Sequence, residues 1–198
     1  LDDNYKGGLF YATYERIKRH SQNLSNITVV NNNFYERSES EYRYKEIKII
    51  NMNFKRTIGY IIDKFIMSRQ EDRLISTYIS KFNSELMDSD FIHAHWGWPN
   101  GYIAYKLSEK YNIPYFITLH GSDINNLKER NRENMLKAME NATKCFFVSK
   151  ALLSSAKEKG YSGKNSVINY NGVDLSQFQL KNRRRKTLTL GILIFISI

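Results

Sequence analysis

One cysteine and two prolines in 198 residues leave this sequence short of two common structural devices. The lone Cys145 lies in the apolar run Cys145-Phe146-Phe147-Val148 and has no partner for an internal disulfide. Nothing in the thiol content therefore argues for secretion, and a buried, inert thiol is the expectation. Two prolines and ten glycines leave little room for a long flexible linker. Long apolar runs are also missing. The longest, Gly191 to Ile198, is far below the ~20 residues that a membrane helix needs. The sequence opens at Leu1 with no basic-then-apolar leader pattern, so it reads as a cytosolic domain. Neither an internal repeat nor a low-complexity tract is present.

Positive charge is in excess. Thirty Lys and Arg residues stand against twenty Asp and Glu, a formal net charge of +10. Such a surface attracts nucleic acid, anionic lipid headgroups or phosphorylated small molecules. The densest basic cluster, Lys181-Asn182-Arg183-Arg184-Arg185-Lys186, lies outside any amphipathic pattern and reads equally as a solvated connector. No nucleic-acid motif is present, and the basic residues are not interleaved with aromatics on one helix, so nucleic acid is not an expected partner. With 41% hydrophobic and 25% charged residues, the chain has the balance of a globular protein and the length for one domain with a real core.

Strand-like and helix-like segments alternate, which predicts an α/β fold built on an open parallel sheet with helices on both faces. A helix is expected over Leu9 to His20, directly after Gly7-Gly8. A short strand over Asn26 to Val30 should end in the turn-rich Asn31-Asn32-Asn33. Tyr42 to Phe54 is ambiguous, although Ile47, Ile49 and Ile50 suggest a strand. Helical spacing runs from Ile58 to Met87, with a break expected over Ser68 to Arg73. Phe91-Ile92 reads as a strand and Gly101 to Lys110 as a helix. Pro114 introduces a strand over Tyr115 to Leu119, and a helix follows from Lys128 to Asn141. A strand over Cys145 to Val148 and a helix from Lys150 to Lys159, stopped by Gly160, precede a last strand at Val167-Ile168.

Ligands of such folds bind beyond the carboxyl ends of the strands. His93, His95, His120 and Ser149 each follow a predicted strand and should line one crevice, whereas His20 sits on a helix. In an extended segment His93 and His95 point to the same side. Together with His120 they would supply three nitrogen ligands, a workable number for zinc, and the alternative is a polar substrate pocket. Metal-dependent hydrolases of the amidohydrolase type begin with a similar His-x-His but need further His and Asp ligands, and this chain has only four histidines. In Leu119-His120-Gly121-Ser122-Asp123 a strand ends at a histidine, Gly121 lets the backbone pass close to a ligand, and Ser122 or Asp123 can cap the following turn.

Four motifs in order carry a family resemblance. They are Asp90-Phe91-Ile92-His93-Ala94-His95-Trp96 with Gly101-Tyr102-Ile103-Ala104, then Ile113 to Asp123, then Phe147-Val148-Ser149-Lys150, then Val167 to Asp174. This series resembles the amino-terminal half of the retaining glycosyltransferases of family 4, best from Asp90 to Phe178. Gly7-Gly8 resembles the family's glycine-rich loop more weakly. The resemblance implies a GT-B architecture, in which two Rossmann-like domains face each other across a cleft. The amino-terminal domain holds the acceptor and the other domain holds the nucleotide-sugar. By the same resemblance His120 would hydrogen-bond the donor sugar and help organise the transition state. Gly7 and Gly8 would let helix-start amides approach a phosphate. His93, His95 and Trp96 would line the acceptor side, Gly121 and Asp123 would be substrate-binding, Ser149 would sit at the cleft, and the substrate-binding Asn171 would lead into the interdomain linker. No metal or other cofactor is implied; the nucleotide-sugar is the donor substrate.

Residues 1–175 are then expected to form the acceptor domain without the family's first strand, and 176–198 the linker and the possible start of a donor domain. Neither a Glu-x7-Glu motif nor a donor-site basic pair follows the linker. The chain as given is expected to be inactive alone. The implied activity is transfer of a sugar from a nucleotide-sugar to a glycan or lipid-linked acceptor, in assembly of bacterial surface polysaccharide or glycolipid. The net charge fits contact with anionic membrane at its inner face. A non-catalytic carbohydrate- or phosphate-binding module, or a half that pairs with a separate donor-domain chain, is the alternative.

Overall fold

A computed structural model describes residues 16–17, 19, 24, 26–33, 40–44, 47–53 and 70–172. The Gly7-Gly8 loop, the first helix apart from Arg16, Ile17 and Arg19, the basic cluster and the apolar tail lie outside the described residues.

Among the described residues seven strands form two sheets. Strands β1 (Ile27–Asn33), β2 (Ser40–Tyr44) and β3 (Ile47–Asn53) make the first, in the order β1-β3-β2. β1 and β3 run parallel, while β2 returns antiparallel on β3, so this sheet is mixed rather than purely parallel. The asparagines Asn31 to Asn33 extend β1 instead of turning. Each pairs in register with β3, as in Asn31 opposite Asn51, and the Asn31 amide donates to the Asn51 side chain over 3.1 Å. Pairing with a neighbouring strand overrides the turn preference of asparagine.

Helix α1 (Gln70–Met87) begins inside the expected break, so Gln70 to Arg73 are helical; the departure from helical geometry comes later, at Phe82. Its buried Phe82 and Leu86 meet Met52 of β3 and, from the helix α2 (Tyr102–Tyr111), Ile103 and Leu107. Lys48 of β3 pairs with Glu85 of α1 at 3.3 Å. The first sheet is thus tied to the rest of the domain through one apolar cluster.

The second sheet is wholly parallel, in the order β4-β5-β6-β7, with β4 (Ile92–His95), β5 (Tyr115–Leu119), β6 (Lys144–Phe147) and β7 (Ser166–Ile168). Helices α2, α4 (Glu129–Asn141) and α5 (Lys150–Glu158) connect consecutive strands, as crossovers between parallel strands must. The short α3 (Ser122–Asn125) follows β5. β5 is central and reads as a continuous apolar run apart from Thr118. Tyr115, Ile117 and Leu119 point one way and pack with Met135, Ala138 and Met139 of α4, and the Tyr115 hydroxyl donates to the Ala138 carbonyl at 2.6 Å. Phe116 and Thr118 point the other way, beside His93 and Phe146.

Cys145 is fully buried on the packed face, and burial pushes its thiol up to about 12. It is inert at neutral pH, as the sequence suggests. α5 ends at Gly160, whose φ of 107° only glycine adopts without strain. Buried Asn165 then closes the loop. Its amide donates to the carbonyls of Met139 and Ala142, and its oxygen accepts from the Tyr161 hydroxyl.

Candidate active site at the carboxyl ends of the parallel strands

β4 is longer than Phe91-Ile92 predicts, and both His93 and His95 lie within it rather than after it. Strand alternation sends Ala94 into the packed core and both imidazoles to the opposite face, where they stack with ring centroids 4.8 Å apart. His93 Nε2 meets the Thr118 hydroxyl of β5 at 2.8 Å. His95 Nδ1 meets His120 Nε2 at 3.0 Å, with the rings stacked at 5.2 Å. The ring of Trp96 lies 4.9 Å from that of His120. Four of the sequence-predicted site residues, His93, His95, Trp96 and His120, thus form one continuous aromatic array.

Trp96 takes φ 70°, ψ 132° directly after β4. A bulky side chain at positive φ is strained, and such strain persists only where surrounding contacts hold it. Here the Trp96 N–H donates to the Thr118 carbonyl at 2.9 Å, its carbonyl accepts from Gly101 at 3.0 Å, and Asn100 donates to the His95 carbonyl at 2.8 Å. A π-helical turn over Gly97–Gly101 carries the chain from there into α2. Gly97 is packed so closely that a Cβ there would fall 2.3 Å from Met135 Cε.

Asp123 organises the turn beneath His120. It is buried, and its carboxylate accepts from the backbone N–H groups of Gly97 (2.9 Å), His120 (3.2 Å), Gly121 (2.8 Å) and Ile124 (3.2 Å). Neither Ser122 nor Asp123 is the cap foreseen for the following turn, since the N-cap of α3 is Gly121; Asp123 lies in its first turn and ties the β4 exit to the β5 exit. Gly121, at φ 117°, occupies a conformation that favours glycine, and the space a Cβ would fill there is open to 4 Å. Ser149 is the N-cap of α5, its hydroxyl accepting from the Leu152 N–H at 3.1 Å.

Two residues that sequence reasoning missed complete the site. Thr118 holds His93; its signal was a lone polar residue in an apolar strand. Arg16, helical and distant in sequence, donates through Nη2 to the Asn169 carbonyl at 3.0 Å and to Asn171 Oδ1 at 2.9 Å. No local pattern could have found a contact spanning more than a hundred and fifty residues. Asn171 therefore sits at the site, but as the partner of Arg16.

Burial pulls His120 down to about 4; the charge of Asp123 opposes this, and that of Arg16 adds a smaller lowering. The imidazole is neutral at pH 7. Its Nδ1 is buried with no hydrogen-bond partner, the single such side-chain atom among the described residues. Unpartnered buried polar atoms are rare in folded proteins and mark functional positions. Because the folded-state pKa lies below the ordinary value of 6.5, unfolded chains take up this proton first as pH falls. The His120 contribution to stability is complete above pH 6.5 and is lost progressively down to about pH 4. Urea unfolding across that window should show the loss in the parent chain and a flatter profile in His120→Gln; identical profiles would contradict a buried neutral imidazole. Among the described residues no three His, Cys, Asp or Glu side chains are grouped to hold a metal ion.

The profile of Glycosyltransferase Family 4 matches residues 7–177. The chain belongs to glycosyltransferase family 4. A Bacillus subtilis (strain 168) protein named "Putative teichuronic acid biosynthesis glycosyltransferase TuaC" is 34% identical over 127 residues, covering 61% of this chain and 32% of TuaC. The "Uncharacterized glycosyltransferase MJ1178" of Methanocaldococcus jannaschii is 33% identical over 106 residues, 51% of this chain and 29% of MJ1178. The matches thus span about a third of each relative. Among solved structures, "Trehalose-6-phosphate from E. coli bound with UDP-2-fluoro glucose" superposes with a TM-score of 0.56 at 12% identity, over 89% of this chain and 48% of that one. A trehalose-phosphate synthase from Burkholderia xenovorans in complex with glucose-6-phosphate gives 0.52 at 10% identity, over 79% and 40%. The fold is that of one half of a GT-B enzyme. The family is one of glycosyltransferases, and among the described residues no helix is long and apolar enough to cross a membrane.

Proposed function

We propose that this family 4 domain supplies the acceptor side of an enzyme that moves a sugar, with retention, from a nucleotide-sugar to a glycan or lipid-linked acceptor. The observation that carries the reading is the His95–His120 contact at the carboxyl ends of β4 and β5, with the His120 imidazole neutral and one of its buried nitrogens left unpartnered. Departure of a nucleoside diphosphate from a sugar creates a cationic anomeric centre and an anionic leaving group, so the protein acts by positioning and by electrostatic stabilisation. A neutral imidazole can hold a sugar hydroxyl beside that centre without repelling it. The stacked rings of His93 and His95, with the Trp96 ring beside His120, offer an aromatic surface for a pyranose ring. The chain's net charge of +10 suits an acceptor bearing phosphates or lying at an anionic membrane surface, on its cytoplasmic side. The name of the B. subtilis relative supports a role in surface-polysaccharide assembly.

The test is sugar transfer by a two-domain protein carrying this domain with a family donor domain, across a panel of nucleotide-sugars, UDP-sugars first. Transfer with one donor and a retained anomeric configuration is expected. His120→Ala should lower kcat/KM by roughly 100-fold or more. Absence of turnover with every donor from a folded protein would replace this reading with that of a non-catalytic binding module.

A further inference from the structure

We infer that Arg16 is an anion-recognising residue of this site, and that its guanidinium, braced against the exit of β7, takes a phosphate oxygen of the bound substrate. The choice of phosphate over other oxyanions rests on the nucleotide-sugar reading above.

The geometry begins with how Arg16 is held. A single nitrogen, Nη2, donates to both the Asn169 carbonyl and Asn171 Oδ1, at 3.0 and 2.9 Å. The guanidinium carries five N–H groups in a planar fork. The bonds to Asn169 and Asn171 fix the plane of the fork without consuming it. Both partners are neutral. Half-buried, Arg16 forms no ion pair with any carboxylate among the described residues, and burial alone pulls its pKa down. A guanidinium taken partly out of water next to neutral acceptors is electrostatically incomplete, and an arriving oxyanion completes it.

Its position gives that incompleteness a use. Arg16 is close enough to His120 for its charge to act on the imidazole. Asp123, the carboxylate beneath His120, accepts from the N–H groups of Gly97, His120, Gly121 and Ile124 and makes no ion pair with Arg16. Held at the exit of β7, Arg16 brings a positive charge to the same end of the sheet as an imidazole nitrogen that has no partner. A sugar bearing a phosphate presents the two complements: a hydroxyl for the imidazole and a charged oxygen for the guanidinium. Planar bidentate recognition of phosphate is what distinguishes arginine from lysine at such a position.

The purely structural reading is that Arg16 only clamps its helix to the end of the sheet, and substitutions separate the two. Arg16→Gln keeps an amide donor for the asparagines and removes the charge. Arg16→Lys keeps the charge and loses the fork. Calorimetric titration of the 198-residue chain with inorganic pyrophosphate, UDP and glucose 6-phosphate is the experiment, paired with the NMR titration of the His120 imidazole. In the parent chain at least one probe should bind. UDP as the tighter ligand identifies the phosphate as the donor's; glucose 6-phosphate as the tighter ligand identifies it as the acceptor's. Arg16→Gln should weaken that probe by about tenfold or more, and Arg16→Lys by less. The bound anion should raise the His120 pKa in the parent chain and leave it unmoved in Arg16→Gln.

Equal affinity in the parent chain and Arg16→Gln would overturn the proposal, as would a parent chain that binds none of the three probes. If Arg16→Gln does not fold, Arg16→Lys decides by the same comparison: unchanged affinity and an unchanged anion effect on His120 overturn the proposal. Failure here alongside sugar transfer by the two-domain protein would remove Arg16 and leave the enzyme. Arg16-dependent phosphate binding without turnover would do the reverse.

Discussion

Asp123→Ala should lower the free energy of unfolding by about 3–5 kcal/mol, the cost expected when a buried charged acceptor is deleted and its donors are stranded. Three backbone N–H groups lose their acceptor at once, Gly97 after β4 and His120 and Gly121 after β5, while the Ile124 N–H keeps only its bond to the Gly121 carbonyl. None lies in a regular ladder that could absorb it, since these are the turns by which two neighbouring strands leave the sheet. With Asp123 only 7% exposed, water has little access to replace the carboxylate. Asp123→Asn is the sharper variant because it conserves size. One carbonyl oxygen remains, but the new NH2 faces donors, and a loss of about 1.5–3 kcal/mol is expected. Equilibrium urea denaturation of both variants at neutral pH measures this. A loss under about 0.5 kcal/mol in Asp123→Asn would show that the amides are satisfied some other way. The same change removes the negative charge that favours protonation of His120, so its imidazole should titrate lower still in any Asp123 variant that folds.

That one carboxylate joins the two turns explains why the site was only partly legible in the sequence. Elements whose boundaries are set by local chemistry were readable. Pro114 opens β5 and Gly160 closes α5, because each imposes a backbone angle regardless of its neighbours. The same-side placement of His93 and His95 followed from strand alternation alone. Where pairing between distant segments decides, the local signal misleads. Asn31 to Asn33 look like a turn and become strand through β3, and His93 and His95 fall inside β4 because their backbone pairs with Phe116 and Thr118. Family resemblance could point to His120, but the depressed pKa of its imidazole depends on burial and on Arg16, a contact no motif records. Ser149 shows the converse. A residue picked out by its motif has its hydroxyl engaged in a helix cap.

The two faces of the parallel sheet are packed differently, and adjacent phenylalanines in β6 separate them. Phe147→Ala should cost about 3–5 kcal/mol in unfolding free energy, the range for a buried aromatic truncated in a core that cannot collapse around the gap. Phe147 is fully buried, stands opposite Leu119 of β5 and Ile168 of β7, and packs on Tyr161 with ring centroids 5.6 Å apart. Phe147→Leu conserves most of that volume and should cost less than half as much. Phe146, one residue earlier, points to the opposite face, half-buried, with its ring 6.0 Å from that of His93 and 6.2 Å from that of Phe116. Phe146→Ala should therefore be the milder change in urea unfolding, about 1–2 kcal/mol, since only part of its surface is withdrawn from water. Its effect should appear instead in the site, where His93 loses an aromatic neighbour and the stack toward His95 and His120 loosens. Denaturation of the three variants, with the histidine resonances of each compared by NMR, tests both halves. Phe146→Ala costing as much as Phe147→Ala, or leaving the histidine resonances where they were, would contradict this division of the sheet into a close-packed face and a histidine-bearing face.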